Sequence, residues 1–165
     1  MRFIRQPPAP QRLQVLQDDR ERQGFLLPDT QFLVTIRRLL TADYSFKGLE
    51  SVVAIEKKSG LGEICSDLSG KSRARFLRFL TRMSRYPVKV ILICSNGPNE
   101  VYTIPDYRGS ATPLSKTSNY WLSKINMEYG IATLFVGSPL NEELVWSIFQ
   151  DAWLAGQKYL TRGGR

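Results

Sequence analysis

The chain has 165 residues, 42% of them hydrophobic, enough for one ordinary core and too few for two full-sized domains. Lys and Arg number 23 against 15 Asp and Glu, and a formal charge of +8 has the sign that suits a polyanionic partner such as nucleic acid. Histidine is absent, which excludes Ser-His-Asp and Cys-His catalysis, histidine general bases and His-based zinc sites.

Residues 1–12, MRFIRQPPAPQR, are basic and proline-rich without the apolar centre of a signal peptide, and read as an extended tail. Residues 13–17 read as a strand ending in the charged cluster Asp18-Asp19-Arg20-Glu21. Residues 32–39 alternate apolar side chains at Phe32, Val34 and Ile36, then break at Thr41-Ala42-Asp43-Tyr44, a strand running into a turn. Gly48 falls in the connection to a β-branched run at 51–55 that delivers Glu56-Lys57-Lys58. Three early strands thus end near acidic residues.

From 62 to about 86 the period becomes helical, with Phe76, Phe79, Leu80 and Met83 on one buried face and Pro87 closing the helix. Residues 88–94 form a continuous apolar strand of the kind buried on both faces, far too short to span a bilayer. A loop at 95–99, a short strand at 101–104 and a second loop at 105–113 lead to a helix over 115–129 and a buried strand over 131–136. Ser138-Pro139 is expected to start the last helix, with the proline at its first position and Val145, Ile148, Phe149 and Ala152 buried. Adjacent strands followed by alternating helices and strands predict an α/β domain with a mixed central sheet over 13–160, and a flexible tail over 161–165. Cys65 and Cys94 stand far apart, with neither a disulfide framework nor a thiolate zinc spacing, which fits a reducing, intracellular setting.

With no histidine, hydrolysis must run on carboxylates and lysine, and hard oxygen ligands imply Mg²⁺ or Mn²⁺. Glu56 and Lys58, two apart in a strand, project to the same side, and Lys57 to the other. If the strands flanking the turn pair, Asp43 approaches Glu56, and two convergent carboxylates can hold a cation on a phosphodiester with Lys58 beside the attacking group. Taken alone, Asp43 can equally be a turn residue, Glu56-Lys57-Lys58 a solvated strand end and the Asp18–Glu21 cluster a salt-bridged loop.

Lys71, Arg75, Arg78, Arg82 and Arg85 fall within an arc of about 80° of the helix, with no acid from 71 to 85. Such a stripe can neutralise a phosphate backbone, reading shape and no base sequence, or it can be a plain solvated face. Trp121, Trp146, Trp153 and Leu144 read as core or interface residues. Tyr102, Tyr107 and Tyr120 are weak candidates for contacting unpaired bases.

The series DDRERQGF, TADYSF, VVAIEKKSGLGEICSDLSG and RFLRFLTRMSRYPVKVILI resembles the XPF-family nuclease domain, a branch of the restriction-endonuclease-like PD-(D/E)xK superfamily. The family shows D-x-R-E after a first strand, G-D at a turn, then E-R-K-x-x-x-D, a helix and a buried strand. The resemblance runs from about Leu13 to Ile93. It implies a restriction-endonuclease-like mixed sheet flanked by helices and a Mg²⁺- or Mn²⁺-dependent DNA endonuclease acting at flap, fork or branched DNA. Matched position by position, it implies metal ligation by Asp43 and Glu56 with support from Asp18, and a positioning or charge role for Lys58 and Arg20. Glu21 is the last letter of the first motif.

Three positions depart from the pattern: Ala42 stands for the glycine, Lys57 for the arginine, and Gly62 where the last aspartate is expected. Glu63 is the best substitute for that aspartate and Asp67 a weaker one. The expected catalytic set is therefore Asp18, Arg20, Asp43, Glu56, Lys58 and Glu63, with Lys57, Lys71, Arg75, Arg78, Arg82 and Arg85 on DNA. No tandem helix-hairpin-helix module follows the last helix, so substrate choice is expected to depend on a partner protein or a homodimer, inside the cell, in cytoplasm or nucleus. Two alternatives stay open: a catalytically silent DNA-binding or scaffolding module of the same fold, and a junction resolvase of the same superfamily.

Overall fold

The computed structural model describes residues 12–68, 70–97 and 114–163, the side chains of 114–118 excepted. Residues 1–11, the expected strand at 101–104 with Tyr102, the loop at 105–113 with Tyr107, and 164–165 lie outside the described residues.

Six strands form one mixed sheet: β1 (Leu13–Gln17), β2 (Phe32–Ile36), β3 (Tyr44–Phe46), β4 (Val53–Lys58), β5 (Val88–Ile93) and β6 (Ala132–Phe135), in the order β2-β1-β3-β4-β5-β6. β1 runs parallel to β2, β3 is antiparallel to both β1 and β4, and β4, β5 and β6 are parallel. Four helices cover it: α1 (Leu61–Asp67), α2 (Arg73–Met83), α3 (Leu114–Tyr129) and α4 (Glu142–Thr161). Among the described residues no helix is long and apolar enough to cross a membrane.

Strand alternation sorts the side chains into two cores. Val15, Tyr44, Phe46, Val53, Ile55, Val90 and Leu92 face α4 and pack with Val145, Phe149 and Ala152. Phe149 lies 5.3 to 6.2 Å from the rings of Phe25, Phe32, Tyr44 and Phe46, so one aromatic side chain ties α4 to β2, β3 and a loop. On the opposite face Ala54, Ile91 and Ile93 pack with Ile64, Phe76, Leu80 and Met83 of α1 and α2 and with Leu122 and Ile125 of α3. The alternation that buries Ala54 carries Glu56 and Lys58 to the same α1–α2 side.

Several expected boundaries move. The helix expected over 62–86 is α1, a 3-10 turn at Gly70–Ser72 and then α2, because Gly70 interrupts the helical stretch between two apolar segments. Lys71 therefore stands in the turn and not in α2. The last helix begins at Glu142, not at Pro139: Asn141 has extended backbone and its side chain accepts the Leu144 amide, supplying a cap that proline lacks. The turn expected at 41–44 hides β3. The strands flanking it do not pair as expected either; β2 pairs with β1, and β3 is the partner of β4.

Candidate active site

The chain brings the site together at one end of the central strands. β3 starts immediately after Asp43, whose amide donates to the Ile55 carbonyl (3.1 Å), while the Asp43 carboxylate accepts from the Lys57 amide (2.9 Å). These two bonds lock Asp43 beside the C-terminal end of β4, so Asp43 and Glu56 line one cleft of about 230 Å³ with Arg20, Leu40 and Arg82. Ala42, just before Asp43, has φ 65°, left-handed backbone that favours glycine. The family pattern carries glycine at this position, and the same backbone shape is kept here by a buried alanine.

A second cleft, about 330 Å³, shares Glu56, Arg20 and Arg82 with the first and adds Lys58, Glu63 and Asp67. The Lys58 ammonium is buried among three carboxylates, at 3.1 Å from Glu56, 3.0 Å from Glu63 and 2.9 Å from Asp67. It also lies over the rings of Phe76 and Phe79. Burial pulls its pKa down, but the charges of Glu56, Glu63 and Asp67 raise it overall, so Lys58 stays an ammonium. Burial, followed by the negative charge of Asp43, pushes Glu56 up to about 8, with Lys58 opposing the shift. Burial also raises Asp43, against the Lys57 amide that lowers it. Glu63 ends below its usual value: burial raises it, but Lys58 and the Ser59 bonds outweigh that.

Not every expected ligand converges. Asp18 is 1% exposed, and each of its oxygens is already engaged: Oδ1 accepts from the Arg20 amide (2.9 Å) and Nε (2.6 Å), Oδ2 from Arg20 Nη2 (3.0 Å) and the Leu39 amide (2.7 Å). Asp18 lines neither cleft and holds Arg20, so of the expected metal set of Asp18, Asp43 and Glu56 only Asp43 and Glu56 share a cleft. Among the described residues no group of three or more acidic or cysteine side chains is arranged to hold a metal ion. Two hard carboxylates in one cleft, with Asp43 raising the pKa of Glu56, still suit Mg²⁺, which commonly takes one or two carboxylates and keeps waters or substrate phosphates for the rest of its shell.

Lys57 does not join the clefts. It points to the α4 side, bonded to the Gln23 carbonyl, 3.7 Å from Glu21 and over the Phe25 ring, so it holds the 21–25 loop and does not face the clefts. Glu63 accepts from the Ser59 amide (2.8 Å) and hydroxyl (2.9 Å) as well as from Lys58, which makes it a clamp on the ammonium and on the start of α1. Asp67, the weaker candidate in the sequence, shares that duty. Its one signal was its place four residues after Glu63, on the same helix face. Arg75 and Arg82 line the Lys58 cleft, Arg78 is exposed on α2 between them, and Arg85 is exposed just past the C-terminal end of α2. None of these four takes part in the ion pairs found among the described residues. Phe79 and Leu40 line the site without having been foreseen there.

The structure is similar to XPF from Aeropyrum pernix, with a TM-score of 0.59 and 17% identity over 83% of this chain and 63% of that one. The chain has an XPF-like nuclease fold. XPF from the same organism in complex with DNA matches with a TM-score of 0.62 and 18% identity, over 89% of this chain and 66% of that one. The chain thus spans a little under two thirds of the length of those XPF chains, and at this identity the likeness is one of fold. No family model matches the sequence, and no curated protein matches it. Within the XPF-like fold, the restriction-endonuclease-like mixed sheet expected from the sequence is the one observed.

Proposed function

We propose that the chain is a divalent-metal-dependent DNA endonuclease domain acting at flap, fork or branched DNA. The observation that carries this reading is the shared cleft of Asp43, just before β3, and Glu56 of β4, with the Lys58 ammonium 3.1 Å from Glu56 and Arg75 and Arg82 lining the adjoining cleft. The likeness to an XPF in complex with DNA supports DNA as the polyanion.

Hydrolysis of a phosphodiester joins a water oxygen to phosphorus and breaks the bond to the leaving oxygen, with a proton lost from the water and one gained by the leaving group. Asp43 and Glu56 would hold Mg²⁺ or Mn²⁺, which when bound would supply Lewis acidity toward the phosphate and the attacking water. Lys58 remains protonated and so is no base; its role is to place positive charge where the transferring phosphoryl group gains negative charge. Glu63 and Asp67 fix the ammonium in that position, and Asp18 fixes Arg20 at the mouth of both clefts. The α2 arginines hold the backbone without reading bases, which suits selection by shape. Choice among branched substrates is assigned to a partner protein or a second copy of the chain, and the setting to the cell interior.

Incubating forked, flapped and four-way DNA with Mg²⁺, Mn²⁺ or EDTA tests this, alongside Glu56→Ala. Metal-dependent cutting lost in the variant supports the endonuclease. Binding without cutting supports a silent scaffolding module, and cutting confined to four-way DNA supports a resolvase.

A further inference from the structure

Leu40 is 93% exposed, the most exposed large apolar side chain among the described residues. An exposed leucine by itself is ordinary. What sets this one apart is the rigidity of its base and its place. On one side the Leu39 amide donates to Asp18 (2.7 Å) and the Leu39 carbonyl accepts from Arg20 (3.1 Å). On the other, Thr41 and Ala42 are buried and Asp43 is bonded to β4. An apolar side chain is therefore presented to solvent from a backbone pinned on both sides.

Leu40 also forms a wall of two clefts at once. One is the cleft of Asp43 and Glu56; the other, about 120 Å³, is lined by Arg37, Arg38, Tyr86 and Glu50. It is a ridge between a carboxylate site and a second recess carrying two exposed arginines. Arg38 pairs with Asp19 at 2.8 Å and Arg37 with Glu50 at 3.6 Å, exposed contacts of the kind that phosphates can displace.

Resting on the nuclease reading, we infer that Leu40 is a wedge that enters the base stack of a DNA junction beside the phosphate to be cut, and that the Arg37–Arg38 recess receives the strand that diverges there. Leucine suits this work, since a branched apolar side chain inserted at a base step replaces stacking with apolar contact and kinks the duplex. A junction already has an interrupted stack, so insertion is least costly there, and the ridge selects branched over continuous DNA without reading sequence.

The test uses the full chain and a fork carrying 2-aminopurine at the branch, whose fluorescence rises when its base is unstacked. Binding is read on the Glu56→Gln background, which keeps DNA intact, and cutting on the wild-type background. At saturating protein the fluorescence should rise several-fold, a rise abolished by Leu40→Ser and kept by Leu40→Met. Fork cleavage should fall about tenfold with serine and within about twofold of wild type with methionine. Because the side chain is exposed, both variants should melt with the parent, which a thermal scan checks. If serine leaves the fluorescence and the fork preference unchanged while the wild type cuts, the wedge is wrong and the nuclease reading stands. If the chain binds and unstacks the fork without cutting, the wedge stands and catalysis falls; no binding overturns both.

Discussion

Asp18 and Arg20, two residues apart at the end of β1, meet side chain to side chain at 2.6 and 3.0 Å, and the Asp18 carboxylate also receives the Leu39 amide across the loop. Burial alone would raise Asp18, but the bonds from Arg20 and Leu39 and the Arg20 charge bring it down to about 2. A carboxyl whose folded pKa lies below its unfolded value near 3.8 adds stability above that value and loses it as pH falls toward 2. The full shift corresponds to about 2 kcal/mol, and because Arg20 is half exposed about 1 to 2 kcal/mol is the expected contribution. Urea unfolding of Asp18→Asn should therefore show that deficit at pH 7 and only about a third of it at pH 2.5. A deficit independent of pH would mean that geometry and not charge holds the loop.

Glu56 behaves with the opposite sign. Its folded pKa of about 8 lies above the ordinary 4.5, so the metal-free protein is favoured by the protonated acid. The stability associated with that proton is full below 4.5 and is lost as pH rises to 8. Glu56→Gln imitates the protonated form and should be more stable than wild type by about 2 to 4 kcal/mol at pH 8.5 in EDTA, with little gain at pH 4.5. Divalent metal should raise the melting temperature of wild type at pH 8.5 and leave the glutamine variant nearly unmoved. Equal metal response in both proteins would remove Glu56 from the site.

Ala42 makes a third case. Left-handed backbone costs an alanine about 1 to 2 kcal/mol. Glycine removes that cost, but gives up a buried methyl worth about 0.8 kcal/mol and adds about 0.4 to 1 kcal/mol of unfolded-state entropy. Ala42→Gly should thus lie within about 1 kcal/mol of wild type and keep its activity. Ala42→Val, β-branched at positive φ in a buried position, should lose more than about 2 kcal/mol and misplace Asp43. Chemical denaturation of the pair checks both; a well-tolerated valine would show that the loop can change its path.

The motif residues were legible in the sequence because Glu56 and Lys58 inherit their common direction from strand alternation. The partnership of Asp43 with Glu56 was expected from the wrong pair of strands. β3 has only three residues, Tyr44–Phe46, too few to show a period, and its pairing with β4 is decided by the packing of Tyr44 and Phe46 under Phe149. That Asp18 turns toward Arg20 and Leu39 was not legible, because a motif gives residue types and not directions; the Leu39 amide bonded to it lies 21 residues away in the chain. Lys57 shows the reverse, since alternation alone already sent it to the other face.

Arg75, Arg78, Arg82 and Arg85 make the last prediction. At about 1.5 Å rise per residue the first three recur every 4.5 to 6 Å along α2, Arg75 and Arg82 lining the Lys58 cleft, and Arg85 follows just past the end of the helix. Cations free of internal partners release counterions from DNA when they bind, and each phosphate neutralised adds about 0.9 to the slope of log affinity against log salt. Replacing all four by alanine should lower that slope by about 3 to 4 and weaken binding of forked and linear DNA alike, since backbone contacts carry no sequence or branch information. Thermal stability should change little, because exposed residues without ion pairs are removed and alanine favours helix. Removing Arg75 and Arg82 alone should also reduce cleavage at saturating DNA, as these two line the cleft, whereas Arg78 and Arg85 should affect affinity only. A slope altered by less than 1 in the fourfold variant would place the DNA on another face of the protein.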